Sequence, residues 1–140
     1  HVGGENAKAA QIGGASGHCV PASQFERTIA FEDVPTGGSI IVFGPDRDML
    51  EVAENFLEFF VDESCGKCTP CREGNRKLLE GVQMLRKGTC SMKYLRELCG
   101  LGQTMQLASK CGLGQSAPNA LLSIVEHFKD DILGRTPQAV

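Results

Sequence analysis

No stretch of the 140 residues approaches the roughly 18 consecutive apolar residues of a bilayer-spanning helix, so no membrane insertion is expected. Positive charge is not in excess. Lys and Arg number 14 against 17 Asp and Glu, and the formal net charge of −3 gives no electrostatic case for nucleic acid or an anionic membrane surface. Residues 1–10 have neither the basic region nor the apolar core of a secretory leader. The first residue is His rather than Met, as expected of a fragment or a processed chain. Internal repeats and low-complexity segments are also missing. An even, dispersed set of cysteines would mark a secreted disulfide framework. The seven here are odd in number, and three of them fall between Cys65 and Cys71. Two residues between neighbouring thiols suit a shared metal better than mutual disulfides, so a reducing compartment, the cytoplasm, is expected, with any membrane association peripheral.

An apolar fraction of 41% and a charged fraction of 22% are ordinary for a globular chain. A chain of this length buries about two-thirds of its unfolded surface, enough for a core. Two textures divide it. Residues 1–45 are rich in Gly and β-formers and predict a small β-rich segment. Ile40-Ile41-Val42-Phe43 reads as a buried strand, with weaker strands at residues 9–12 and 28–31. From residue 46 to 135 the apolar period becomes helical. Asp46 is placed to cap a first helix carrying Met49, Leu50, Val52, Ala53, Phe56, Leu57, Phe59 and Phe60. A second helix begins at Pro70 and stops at Gly88. Ser91 caps a third, weakened in its middle by Gly100 and Gly102. A fourth runs from Pro118 through Ile132 to Gly134, and residues 136–140 form a tail. The expected fold is mostly α: an antiparallel four-helix bundle preceded by the β-rich segment.

The chemistry concentrates at Cys65-Gly66-Lys67-Cys68-Thr69-Pro70-Cys71 and at Cys111-Gly112-Leu113-Gly114. Thiolates are the usual ligands of iron–sulfur clusters, and a cubane needs four. Two-residue spacers let three cysteines surround three corners of one small cluster. In an antiparallel bundle the loop after the first helix and the loop after the third lie at the same end, which would bring in Cys111 as the fourth ligand. Gly66 leaves room for the backbone to approach a cluster and offers an N–H. Pro70-Cys71-Arg72 opens a helix whose free amides and positive dipole end favour negative charge. Lys67, Arg72 and Lys110 add to it. A [4Fe–4S] cluster on Cys65, Cys68, Cys71 and Cys111 is therefore the first reading. Zinc also takes four thiolates, but a second C-x2-C knuckle is lacking. A [2Fe–2S] centre fits the spacing less well, and a redox-sensing thiol at Cys65 or Cys71 is a weaker reading still. Cys19, Cys90 and Cys99 read as packing thiols, and His1, His18 and His127 as solvated or packed side chains.

Glu63-Ser64-Cys65-Gly66-Lys67-Cys68-Thr69-Pro70-Cys71-Arg72-Glu73-Gly74, with a further Cys forty residues on, resembles the C-terminal part of the NADH-binding flavoprotein subunit of respiratory complex I. That family includes the diaphorase subunits of NAD(P)-linked hydrogenases and NAD-dependent formate dehydrogenases, and Cys111-Gly112-Leu113-Gly114-Gln115 is closer to these. Residues 12–21 and 38–43 are similar to its β-grasp (SLBB) domain. The resemblance implies one-electron transfer through a [4Fe–4S] cluster. In such subunits FMN and the nicotinamide sit on an N-terminal domain with a G-F-P stretch, which this sequence lacks, so no FMN or NAD(P) contact is assigned to it. The implied partners are that flavin domain and the iron–sulfur subunits of a larger oxidoreductase. The alternative is a zinc-stapled helical interaction domain without redox function.

Overall fold

In the computed structural model residues 6–134 are described; the expected tail at 136–140, residue 135 and His1 lie outside them. The fold is mostly α. Three short strands, β1 (Ala9–Ile12), β2 (His18–Pro21) and β3 (Ile40–Phe43), precede six helices: α1 (Met49–Glu63), α2 (Thr69–Arg86), α3 (Met92–Ala108), α4 (Gly112–Ser116), α5 (Asn119–His127) and α6 (Lys129–Leu133).

The sheet has the order β2-β1-β3 and is antiparallel throughout, with Ile12 opposite both His18 and Ile40. Because facing residues share a side of the sheet, Ala9 and Cys19 point together into the helical core, while Ala10, Ile12 and Val20 form a small cluster on the other side with Val34. Three polar links fasten the sheet to the helices. Cys19 N–H donates to Ser123 Oγ (2.9 Å), Asn119 Nδ2 to the Ser16 carbonyl (2.8 Å), and Lys8 Nζ pairs with Asp131 (2.7 Å).

Two β-strand expectations are corrected here. Ile40, Ile41 and Val42 are 53, 41 and 40% exposed rather than buried, because β3 is an edge strand with no partner on its outer side among the described residues. Residues 28–31 are not a strand. The Arg27–Asp33 ion pair and the Asp33 N–H bond to the Ala30 carbonyl close them into a turn, leaving Phe31 almost fully exposed.

Each long helix forms where its apolar register and its caps agree. The cap of α1 is Asp48, not Asp46: its carboxylate accepts from Leu50 N–H at 3.0 Å, immediately before the buried stripe Met49, Leu50, Val52, Ala53, Leu57 and Phe60 begins. Phe59, expected on that stripe, is 48% exposed and meets Phe60 edge-on, with ring centroids 5.4 Å apart. The end of α2 is a Schellman motif, in which Gly88 N–H bonds the Leu85 carbonyl and Thr89 N–H that of Met84. Ser91 Oγ caps α3 by accepting from Tyr94 N–H at 3.2 Å. Connections of five residues (64–68 and 87–91) return the chain, so α1, α2 and α3 pack in sequence and α5 closes the bundle against α1 and α3.

The fourth helix is not continuous. It breaks at Phe128 (φ −117°, ψ 39°), which turns Ile132 into the core and brings Asp131 to Lys8. A short additional helix, α4, lies between α3 and α5 and carries the residues that follow Cys111.

Candidate iron–sulfur site

The site is built at one end of the bundle from two connections. Ser64 caps the C-terminus of α1, and five residues later α2 starts with Cys68 as its first flanking residue and a proline within its opening turn. Gly66 adopts φ +72°, a left-handed conformation that L side chains rarely take, and this reverses the chain between Cys65 and Cys68. The Gly66 amide donates to Ser64 Oγ at 3.3 Å, and its carbonyl accepts from Arg72 Nη1 at 2.7 Å, so the turn is held from both sides. Arg72 is also paired with Glu73 (2.8 Å), which draws part of its charge away from the thiols.

The second connection, between α3 and α4, folds onto the first. Cys111 flanks the start of α4 as Cys68 flanks that of α2. A Cβ at position 114 would lie 2.6 Å from Ser109 Oγ and 2.8 Å from Cys71 Cβ, so only glycine lets the α4 turn approach Cys71 this closely. The Cys68 side chain makes no capping hydrogen bond to α2. Its pKa is nevertheless lowered, chiefly by the polar influence of the Lys110 backbone N–H and then of the Cys71 N–H, with a smaller contribution from the Lys110 charge, against some opposing desolvation. The two loops thus meet at the same end of the bundle.

Of the four thiols, Cys71 is buried, Cys68 is half-buried, and Cys65 and Cys111 are exposed. The side chains do not converge into a finished cage: among the described residues no three His, Cys, Asp or Glu side chains stand close enough together to hold a metal ion. The donor set still fits an iron–sulfur cluster. Four reduced cysteines lie on two apposed glycine-containing turns, and free amides at the start of α2 offset negative charge on sulfur.

The other thiols have packing surroundings. Burial pushes the Cys19 pKa up to about 12 and raises those of Cys90 and Cys99. Three further residues stand at the site in roles not assigned from the sequence. Ser64 Oγ lies 3.3 Å and Asn75 Nδ2 3.5 Å from Cys71 Sγ, and the buried Ser109 hydroxyl beside Gly114 has no partner among the described residues. Asn75 left one trace in the sequence, a polar residue in the buried register of Cys71, Leu78 and Val82. Ser64 stands within the cysteine motif although no role was read from it, and Ser109 left no trace.

The fold and the site define an iron–sulfur-binding helical module. Residues 51–135 match the family described as the NADH-ubiquinone oxidoreductase-F iron-sulfur binding region, and the chain belongs to that family, whose cluster is of the [4Fe–4S] type. It is 39% identical over 130 residues to the NAD-reducing hydrogenase HoxS subunit alpha of Cupriavidus necator, covering 92% of this chain and 22% of that protein. It is 36% identical over 134 residues to the NADP-reducing hydrogenase subunit HndC of Solidesulfovibrio fructosivorans (91% and 27%). Over 139 residues it is 31% identical to one of the NADH-quinone oxidoreductase subunits of Rickettsia rickettsii (95% and 33%). A solved NAD+-reducing [NiFe]-hydrogenase in its H2-reduced state superposes with a TM-score of 0.89 at 34% identity, over 95% of this chain and 24% of that one. The chain thus spans between about a fifth and a third of the length of these relatives. The family's chemistry is electron transfer through iron and sulfur, in subunits of larger assemblies. No helix among the described residues is long and apolar enough to cross a membrane.

Proposed function

We propose that Cys65, Cys68, Cys71 and Cys111 hold the [4Fe–4S] cluster and that electrons pass through it one at a time. The observation that carries this is the apposition of the two loops, with Gly114 of α4 pressed against Cys71 of α2. Cluster binding then requires only local closure of the exposed Cys65 and Cys111 onto a site whose buried side is already packed. Gly66 gives the backbone the reversal that wrapping three thiols around one cluster demands. Residues 46–135 form the iron–sulfur-binding region, with residues 1–45 as a partial SLBB-like segment.

In the larger protein the electrons originate as a hydride delivered by NAD(P)H to FMN on a separate domain. They leave toward the iron–sulfur centres of partner subunits, in the cytoplasm and peripheral to any membrane complex. The quinone-oxidoreductase relatives are named for that direction of flow, whereas the hydrogenase relatives are named for reducing NAD or NADP, so the same relay runs either way according to its partners. The exposed Cys65–Cys68 turn supplies an open edge for electron entry.

Anaerobic purification or reconstitution of the full chain tests the proposal. A brown protein whose broad absorption at the blue edge bleaches with dithionite, with a matching one-electron paramagnetic signal, is expected. A colourless protein holding one equivalent of zinc would instead establish the structural-staple alternative.

A further inference from the structure

Helix α2 buries Cys71, Leu78, Val82 and Leu85 on one face, and in the same register it buries Asn75 completely. An amide on an apolar face is retained at a cost unless it has partners. The partners of Asn75 are specific. Its Nδ2 reaches the Phe60 carbonyl at 3.4 Å and Cys71 Sγ at 3.5 Å, while its Oδ1 has no partner among the described residues. Both neighbours are acceptors, so the amide is held with its NH2 end toward the sulfur; flipping it would set oxygen against the carbonyl and the thiolate. Ser64 approaches the same sulfur at 3.3 Å, and because its Oγ already accepts the Gly66 amide, its proton is free to point at Cys71.

We propose that Asn75, assisted by Ser64, tunes the reduction potential of the cluster through neutral hydrogen bonds to Cys71 Sγ. This rests on Cys71 being a ligand, as proposed above. Reduction adds one electron and no proton, and no bond forms or breaks. The added charge is shared with the ligand sulfurs, so N–H and O–H dipoles aimed at one of them stabilise the reduced form more than the oxidised form. Both residues therefore raise the potential. Asn75 is a positioning residue on the buried side, remote from the exposed thiols through which electrons enter.

The test is an anaerobic redox titration of the reconstituted full chain, followed by absorbance and paramagnetic resonance, with iron and sulfide counted in each sample. Asn75→Leu keeps the shape and removes the donor. It is expected to retain iron and to lower the reduction equilibrium constant about tenfold, a shift of about 59 mV for one electron, while Asn75→Ser, which restores a donor, recovers much of it. A fully loaded Asn75→Leu protein titrating at the wild-type potential would overturn the proposal. Should Asn75→Leu fail to load, Ser64→Ala decides: a lowered potential supports the proposal and an unchanged one rejects it. Cys71→Ser separates the underlying reading. An intact, spectroscopically unaltered cluster in that variant removes Cys71 as a ligand and the tuning role with it. An altered or lost cluster alongside an unshifted Asn75→Leu potential removes the tuning role alone.

Discussion

Replacing Gly114 with Ala adds one methyl group where the two cysteine loops touch. That methyl would sit 2.6 Å from Ser109 Oγ, 2.7 Å from Ser109 Cβ and 2.8 Å from Cys71 Cβ. Comfortable carbon contacts lie at about 3.5–4.0 Å, so the α4 turn must retreat from α2 by about 1 Å. For the fold this is tolerable. Overpacking costs about 1–3 kcal/mol, and Ala recovers up to about 1 kcal/mol of helix propensity over Gly, leaving a net loss of about 0–3 kcal/mol. At about 4 °C per kcal/mol for a chain of this size, the iron-free protein should melt no more than about 12 °C below wild type. For the cluster the same displacement is severe, because metal–ligand distances tolerate only about 0.2 Å. The expected outcome is a folded Gly114→Ala protein, judged by far-ultraviolet circular dichroism, that holds well under half the wild-type iron and sulfide after reconstitution. Full loading with an unchanged melting temperature would refute the claim that the close approach of α4 to Cys71 builds the site.

Two predictions concern the scaffold. Phe60 is 1% exposed and Phe59 48% exposed, so Phe60→Ala should cost about 3–5 kcal/mol and Phe59→Ala about 1 kcal/mol or less; equal urea midpoints would contradict the placement of the α1 core face. Burial holds the Cys19 thiol near 12 against an ordinary value of 9. Its stabilising contribution is therefore complete below pH 9 and declines as pH rises from 9 toward 12, where the unfolded chain gives up its proton first. Urea midpoints of Cys19→Ala should fall less steeply above pH 9 than those of wild type, and parallel curves would count against it.

Much of the helical half was legible because apolar period and caps coincide. Ser91 before the α3 register and Gly88 after that of α2 mark ends that the hydrogen bonds confirm. Where two candidate caps lay close together, at Asp46 and Asp48, only the geometry of the first turn decides between them. The break at Phe128 carries no Gly or Pro, so period alone reads through it. The β half was read less well. An unbroken apolar run resembles a buried strand, yet β3 lies at an edge, and residues 28–31 have β-forming side chains but no strand to pair with. The cysteine spacing and helix topology correctly imply two loops at one end of the bundle. The hydroxyl and amide groups around Cys71 could not be foreseen, because Ser64 and Ser109 are common loop residues and Asn75 acquires meaning only once its neighbours across α1 are known.

Iron and acid-labile sulfide, measured side by side in Cys111→Ser and Cys90→Ala, test the central claim most directly. Cys111 lies on the loop apposed to Cys68, whereas Cys90 is fully buried between α2 and α3. The account predicts that Cys111→Ser loses a stable four-iron cluster while Cys90→Ala keeps it, and equal loss or equal retention in the two variants would contradict it.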